Sequence, residues 1–258
     1  LTGLSATSMT RMIAGLTELG MVRESAQRSL SSDAHGMGRP SVMLETCADK
    51  AYSLNVDLEA SCLRAALMDL AHHFVVYREL SIAPKGDSFS DVALKIQAVF
   101  LEMLQQARIA KEEIKCCGLT LGAHVDVAGE RIIASSQFRW YEEDAAKELG
   151  ELLQMPVIVE NDCKAALYGE RFLLAAKEEP LNHLAYLELG TDGVGGAVIV
   201  DGRLLRGSRN AAGEIGHITV LPEGEICNCG RRGCFETVLT EKFILKRAQA
   251  INAGCQTI

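Results

Sequence analysis

Apolar residues recur along most of the chain at a spacing typical of helices or of strands. In the first 20 residues they recur every three or four positions, as Met9, Ile13, Leu16 and Leu19. Ser5 precedes this run as a candidate N-cap, and Gly20 follows it as a stop. We therefore predict an amphipathic helix from Ser5 through Leu19.

Two short apolar runs, residues 21–23 and 41–44, flank a polar tip and predict a hairpin after this helix. A helix followed by a hairpin is the order of the second half of a winged helix-turn-helix, which places helix side chains in a DNA groove and the tip in the minor groove. An ordinary amphipathic surface helix is the alternative. The candidate DNA contacts are Thr7, Ser8, Thr10, Arg11 and Arg39.

Strand-like and helical runs alternate through the rest of the chain. The predicted strands are 51–58, 62–70, 74–80, 115–121, 155–159, 183–189 and 195–200, and the predicted helices are 88–107 and 145–153. Three strands and then helix–strand–helix–strand is the order of a ribonuclease-H-like half-domain. We predict an α/β, two-lobed fold of the actin-like ATPase type, divided into residues 1–47 (partial winged helix-turn-helix), 48–170 (first lobe) and 171–258 (second lobe).

Composition narrows the class of protein. Hydrophobic residues make up 48% and charged residues 23%, which supports a sizeable core. The sequence has neither an apolar run long enough for a membrane span nor a signal peptide, so we expect a cytoplasmic protein without a membrane partner. The net charge of -8 argues against a surface coated for nucleic acid but is compatible with a small DNA-reading module on an acidic body.

The spacing of three cysteines and one histidine indicates a metal site. Cys227, Cys229 and Cys234 lie within eight residues, and His217 lies ten residues before the first of them. Three thiolates and an imidazole complete a tetrahedral shell for Zn²⁺ with no open position, so this would be a structural site. Buried thiols beside an unrelated histidine are the alternative. The other cysteines are predicted to be core thiols: Cys47, Cys62, Cys116, Cys117, Cys163 and Cys255.

Three segments resemble signatures of the ROK family, which comprises bacterial sugar kinases and sugar-responsive repressors. They are GEIGH at 213–217, CNCGRRGCFE at 227–236 and ENDCKAALYGE at 160–170. The resemblance runs from about residue 4 to the end. We expect the first helix of the DNA-binding module and the adenosine-contacting part of the second lobe to lie outside residues 1–258.

The resemblance also implies roles for individual residues. It implies sugar contacts from Asn161, Asp162, Glu214, His217 and Glu236. In a kinase Asp162 would be the catalytic base, and His217 would contact both zinc and sugar through its two nitrogens. For Asp162, an N-cap role at a helix starting near Cys163 is the alternative, and it is compatible with the first.

Two loops depart from the pattern of the family's kinases. Asp-x-Gly-Gly-Thr is replaced by DLEAS at 57–61, and Gly-Thr-Gly-x-Gly-x-Gly by GTDGVGGA at 190–197. Glu59 and Ala60 therefore replace the two glycines of the first loop, whereas in the second loop Asp192 stands about where threonine is expected and Ala197 replaces the last glycine. Both phosphate sites gain negative charge and lose glycine. A carboxylate ~4 Å from a phosphate charge costs on the order of 4 kcal/mol at an effective dielectric of ~20, so we do not expect ATP or Mg²⁺ to bind. A third departure, GAH at 122–124, affects the choice of sugar.

These patterns favour a sugar-responsive transcriptional regulator, a repressor of carbohydrate-metabolism genes that senses a hexose or amino sugar in a degenerate kinase site. An ATP-dependent, glucokinase-like sugar kinase is the alternative. A zinc-stabilised sugar-binding protein that does not bind DNA is a third hypothesis. The expected partners are an operator DNA, a small-molecule sugar and further copies of the chain in a homodimer or homotetramer.

Overall fold

The computed structural model describes residues 5–25, 43–59, 61–82, 86–175, 181–190 and 193–251. Helix α1 (Ala6–Glu18) begins after Ser5, whose side chain accepts a hydrogen bond from the Ser8 N–H, so the predicted helix and N-cap are confirmed. Leu19, the last of the four apolar positions, is the C-cap of the helix and is 68% exposed.

A short hairpin follows α1. Strand β1 (Val22–Glu24) pairs antiparallel with β2 (Leu44–Thr46), with Val22 opposite Thr46. The hairpin is confirmed, but its second strand lies later than the predicted 41–44 because this register pairs β1 with residues 44–46. Residues 41 and 42, and Arg39 at the tip, lie outside the described residues.

The larger unit is built on a five-stranded sheet. Its elements in chain order are β3 (Tyr52–Leu58), β4 (Cys62–Asp69), β5 (Phe74–Ser81), α2 (Phe89–Ala107), β6 (Ile114–Leu121), β7 (His124–Val125), β8 (Ile132–Ser135), β9 (Trp140–Glu143), α3 (Ala145–Leu153), β10 (Val157–Asn161) and α4 (Asp162–Ala175). The strand order is β10-β6-β3-β4-β5. Strands β10, β6 and β3 are parallel to one another, β4 pairs antiparallel with β3, and β5 pairs antiparallel with β4. This is the strand order expected of a ribonuclease-H-like half-domain.

Helix α2 covers this sheet through its apolar side. Ser88 and Asp91 form a capping box at its start. Its apolar residues at helical spacing are buried: Val92, Ile96, Val99, Met103 and Leu104. They join the main core cluster with side chains of β3, β4, β6 and α3.

The sequence pattern missed the small sheet β7-β8-β9, because strands of two to four residues show too little alternation to recognise. This insert follows β6. The buried rings of Phe138 and Trp140 stack with centroids 4.5 Å apart and anchor its β8–β9 turn in the main core.

The second, smaller sheet contains β11 (Leu184–Leu189), β12 (Val194–Val200) and β13 (Arg203–Leu204), all antiparallel. The predicted strand pair is therefore confirmed. Helix α4 packs on this sheet through a core of Cys163, Leu167, Ala197 and Ile199. Helices α5 (Glu236–Leu239) and α6 (Glu241–Ile251) follow a long loop. Among the described residues, no helix has the length and apolar character needed to cross a membrane.

Candidate functional site

The four side chains predicted as metal ligands come together in one loop. His217 ends a 3-10 turn (Ile215–His217), and the three cysteines follow before α5. The ligand atoms of His217, Cys227, Cys229 and Cys234 all lie within 4.8 Å of one another. The geometry could therefore hold a metal ion.

The spacing of these atoms suits tetrahedral zinc. Zn–S bonds of about 2.3 Å and a Zn–N bond of about 2.0 Å place two sulfurs about 3.8 Å apart, and a sulfur and a nitrogen about 3.5 Å apart. The Sγ atoms of Cys229 and Cys234 are 3.7 Å apart, and Sγ of Cys227 lies 3.6 Å from Nδ1 of His217. These residues fit a structural Zn²⁺ ion.

Burial raises the pKa of the Cys227 and Cys234 thiols. Burial acts in the same direction on Cys229, but hydrogen bonds, chiefly from the Arg231 backbone N–H, outweigh it and lower the pKa of that thiol. Because a metal ligand must be a thiolate, cation binding here is coupled to proton release.

Glycine backbone allows this loop to fold tightly. Gly230 and Gly233 have φ of +86° and +70°, a region that L side chains rarely adopt. A Cβ on Gly233 would lie 1.6 Å from the carbonyl oxygen of Leu221, whereas nothing lies within 4 Å of one on Gly230. The close approach at Gly233 holds residues 221 and 233 together, and the Gly233 N–H donates to the Glu225 carbonyl at 2.8 Å.

Two predicted sugar contacts border the metal ligands. Glu236, at the start of α5, accepts a hydrogen bond from Sγ of Cys227 at 2.7 Å, and its Oε1 lies 3.8 Å from Nδ1 of His217. Glu214 immediately precedes the 3-10 turn and is exposed. The loop therefore brings Glu214, His217 and Glu236 to one part of the molecule.

The other two predicted sugar contacts lie where β10 meets α4. Oδ1 of Asn161 accepts from the Lys164 N–H at 3.1 Å, and its Nδ2 donates to the Ala123 carbonyl at 3.3 Å. Asn161 therefore holds the N-cap position, which the sequence suggested as an alternative role for Asp162. Oδ1 of Asp162 accepts from the N–H of Cys163 at 2.7 Å instead, because Asp162 is already the first helical residue.

Asp162 faces an acidic cleft of about 340 Å³ between the two sheets. The residues that line it are Asp57, Glu59, Thr120, Asp162, Ala165, Ala166 and Glu188. Burial raises the pKa of the Asp162 carboxyl, and the negative charges of Glu188 and Asp57 act in the same direction.

Arg64 on β4 neutralises part of this acidic region. Its guanidinium donates to Glu59 through both terminal nitrogens, lies 3.4 Å from Asp57 and approaches Glu79 at 3.5 Å. Hydrogen bonding to Glu59 raises the pKa of Arg64 further. Ala60 and Asp192, the other two departures from the kinase loops, lie outside the described residues.

Sequence reasoning missed Glu188, which follows no recognisable motif. Its Oε2 accepts from the Tyr186 hydroxyl at 3.2 Å and from Sγ of Cys163 at 3.6 Å. These two donors hold a third carboxylate beside Asp57 and Asp162.

A buried polar network between the two units was also missed. Lys164 is only 2% exposed, and its Nζ donates to the backbone and side-chain oxygens of Asn210. Asn210 in turn donates to the carbonyls of Val125 and Asp126 at 3.0 and 3.2 Å. Burial lowers the pKa of Lys164. A lysine within an otherwise apolar helix start was the only available sequence signal.

The predicted DNA contacts of α1 lie on its accessible side. Thr7, Ser8, Thr10 and Arg11 are all exposed. The Thr10 hydroxyl donates to the Ala6 carbonyl at 3.0 Å, so it is partly engaged within its own helix. This surface is available for contact, while Arg39, the fifth predicted residue, lies outside the described residues.

Curated relatives include both regulators and kinases. The xylose repressor of Bacillus subtilis (strain 168) is 29% identical over 251 residues, which is 96% of this chain and 62% of the relative. A glucokinase of Halalkalibacterium halodurans is 31% identical over 202 residues, 78% of this chain and 60% of the relative. The chain thus spans about 60% of the length of these proteins.

Solved structures that resemble this chain also include both a regulator and kinases. A ROK family transcriptional regulator described as a homolog of the E. coli MLC protein superposes with a TM-score of 0.77 at 24% identity, over 97% of this chain and 61% of that chain. A glucokinase from Streptomyces griseus, in complex with glucose and AMPPNP, superposes with a TM-score of 0.65 at 25% identity, over 79% and 62%. The sugar-kinase-like α/β fold predicted from the sequence is thereby confirmed. Because the model of the ROK family matches residues 56–257, the chain belongs to the ROK family.

Proposed function

We propose that this chain is the sensing part of a sugar-responsive transcriptional repressor of carbohydrate-metabolism genes. The observation that carries the proposal is the extent of the similarity. The xylose repressor aligns with 96% of the chain, including α1 and the hairpin, whereas the glucokinase aligns with 78%. In this proposal residues 1–47 belong to a winged helix-turn-helix, and 48–170 and 171–258 belong to the two lobes.

The sugar is a hexose or amino sugar held by Asn161, Asp162, Glu214, His217 and Glu236. The carboxylates accept hydrogen bonds from sugar hydroxyls, and Nδ2 of Asn161 donates one. Convergent polar groups of this kind give specificity because each one left unpaired on burial costs ~1–3 kcal/mol. A structural Zn²⁺ on His217 and the three cysteines supplies no reaction step and holds the loop that carries Glu214 and Glu236.

The ion pairs of Arg64 with Asp57, Glu59 and Glu79 support a sensor rather than a kinase. A phosphate-binding loop needs open backbone N–H groups and positive charge. Here Glu59 occupies the β3–β4 turn, and Arg64 is already bound by carboxylates. Glu188 adds a further negative charge to the same cleft. ATP and Mg²⁺ are therefore not part of the proposed function.

A sugar kinase is the second candidate, favoured by one observation. Asp162 lies at the start of α4, faces the cleft and has a raised pKa, as a general base that receives a hydroxyl proton requires. In that case Asp162 would be the catalytic residue.

One set of measurements separates these candidates. The chain is titrated with D-xylose, D-glucose and N-acetylmannosamine by calorimetry, then mixed with each sugar, ATP and Mg²⁺ in a coupled ADP-release assay. Binding of D-glucose or N-acetylmannosamine without ADP release is the expected result. Binding of the pentose D-xylose alone would contradict a hexose or amino sugar as the ligand, and sustained turnover would contradict the sensor. A gel shift with the promoter of the adjacent operon tests DNA binding, and retardation of the complete protein should change when the bound sugar is added. No retardation would favour a sugar-binding protein that does not read DNA.

A further inference from the structure

A glutamine in the β8–β9 turn reaches the same space as Asp162. A Cβ placed on Gly122 would lie 2.9 Å from Oε1 of Gln137 and 3.3 Å from Oδ2 of Asp162. The amide and the carboxylate therefore flank the open side of Gly122, at the end of β6. They are close enough for one small polar ligand to contact both.

The turn that carries Gln137 is held in place from both sides. The Ser135 hydroxyl donates to the Gly122 carbonyl at 2.7 Å. On the other side the Phe138 ring is buried against Trp140, whose Nε1 donates to the Asp87 carbonyl at 3.1 Å. A turn anchored in this way presents its side chain with little ordering cost on binding.

The Gln137 amide is available for a ligand. The side chain is half-buried, and among the residues that the structure describes it makes no hydrogen bond. An amide both donates and accepts, so it matches a sugar hydroxyl, which does the same. Asn161 and Asp162, by contrast, already hold the start of α4 through one oxygen each.

We infer that Gln137 is a sugar-binding residue that helps to determine which sugar the site accepts. The inference rests on the proposed sugar site and adds a contact that the signature segments do not contain. Gln137 reaches the sugar from the β8–β9 turn, whereas Glu214, His217 and Glu236 reach it from the metal-binding loop. It discriminates between sugars that differ in the hydroxyl facing Gly122.

Calorimetry of the full chain with D-xylose, D-glucose and N-acetylmannosamine tests the inference. Gln137→Ala should weaken binding roughly fivefold to fiftyfold. The loss should differ between sugars, so that the ratio of their Kd values changes. Gln137→Asn keeps the amide on a shorter side chain and should lose less. Ser136→Ala is the matched control, because Ser136 is the exposed neighbour in the same turn, and it should leave Kd unchanged.

A second variant tests the geometry independently. The φ of Gly122 is not in the left-handed region, so Gly122→Ala adds only a Cβ, which displaces the end of Gln137 and to a lesser extent crowds Oδ2 of Asp162. It should weaken binding in the unsubstituted chain and have a smaller effect in the Gln137→Ala background, because the shared contact is already gone.

The possible outcomes are distinct. If the unsubstituted chain binds none of the three sugars, the proposed function and this inference both fail. If it binds at least one of them and Gln137→Ala binds the same sugars with unchanged Kd, only the inference fails. The melting temperature without sugar should be the same for Gln137→Ala and the unsubstituted chain, and a large drop would assign Gln137 a structural role instead.

Discussion

Individual residues at this site have conflicting structural and ligand-binding roles. Asp162 is half-buried beside two other carboxylates, and partial burial and these charges raise its pKa, although its proposed role is to accept hydrogen bonds from a sugar. Cys234 is fully buried outside the main core, with its Sγ atom 3.7 Å from that of Cys229. Side chains that are costly in the absence of a ligand are common at functional sites, because the cost is recovered only on binding.

Because of these two roles of Asp162, we predict that Asp162→Asn raises the stability of the fold but weakens sugar binding. The folded chain binds a proton at Asp162 more readily than the unfolded chain, so this carboxylate lowers stability as pH rises above its ordinary pKa. The variant should therefore be more stable than the parent towards neutral pH, with the difference vanishing below about pH 4. It should also bind sugar roughly tenfold or more weakly, since a charged hydrogen-bond acceptor is lost. Urea unfolding across pH and calorimetry measure both effects, and a stability difference that does not change with pH would contradict this account.

For Cys234 the prediction concerns metal content. Cys234→Ser should reduce bound zinc from about one ion per chain to a small fraction of that, because a hydroxyl is a poor zinc ligand. Sugar affinity should fall with it, since the loop positions Glu214 and Glu236. Elemental analysis of the purified chain measures the metal. Cys116→Ser, at an exposed position on β6, is the control and should retain zinc.

At the scale of elements, the loop between β13 and α5 contains little regular structure and depends on specific backbone geometry. Two isolated bridges, Thr219 with Cys234 and Ile226 with Arg232, and the close approach at Gly233 are its main internal contacts. This explains why a metal ion suits it. Side-chain packing alone offers few apolar contacts here, and Ile218 and Ile226 are 58% and 66% exposed.

Gly230 and Gly233 of this loop allow two alanine variants to be compared, one in open space and one against the Leu221 carbonyl. Gly230→Ala should cost about 1 kcal/mol, because only the positive φ is unfavourable and the space is open. Gly233→Ala should cost several kcal/mol or release the metal, because its Cβ would overlap the Leu221 carbonyl. Chemical unfolding and metal release to a chromogenic chelator compare the two. Equal behaviour of the variants would mean that the approach of Leu221 to Gly233 does not hold the loop.

For the whole molecule, the relation between the two sheets depends on polar contacts as well as on α4. Lys164 and Asn210 form a buried link, and Arg206 pairs with Glu160 at 2.6 Å beside it. Burying this lysine is tolerable only because its protons have acceptors. Such a link would fix the position of the two sheets relative to each other, and this position determines the shape of the cleft in which the ligand is proposed to bind.

Removing that link should be costly. Asn210→Ala removes one of the two acceptors of the Lys164 ammonium, the side-chain oxygen, and leaves the carbonyls of Val125 and Asp126 without their donor, while the backbone carbonyl of residue 210 still accepts from Lys164. We expect a loss of about 2–4 kcal/mol in the free energy of unfolding and weaker sugar binding. Ser208→Ala, an exposed neighbour in the same loop, should change neither. Urea unfolding and calorimetry check this, and a neutral Asn210→Ala would show that the link contributes little.

The sequence by itself determined the elements with a long, regular pattern and the residues within recognisable motifs. The five strands of the main sheet, α2 and the cluster of four side chains that could hold a metal ion were all predicted, because apolar periodicity and ligand spacing are local properties. Only the tertiary structure revealed Gln137 beside Asp162, Glu188 in the acidic cleft, Arg64 among its carboxylates and the Lys164–Asn210 link. Each of these joins residues far apart in the chain, apart from Arg64 with Asp57 and Glu59. Their distances depend on how the sheets, the short β7-β8-β9 insert and α4 pack, which no local pattern specifies.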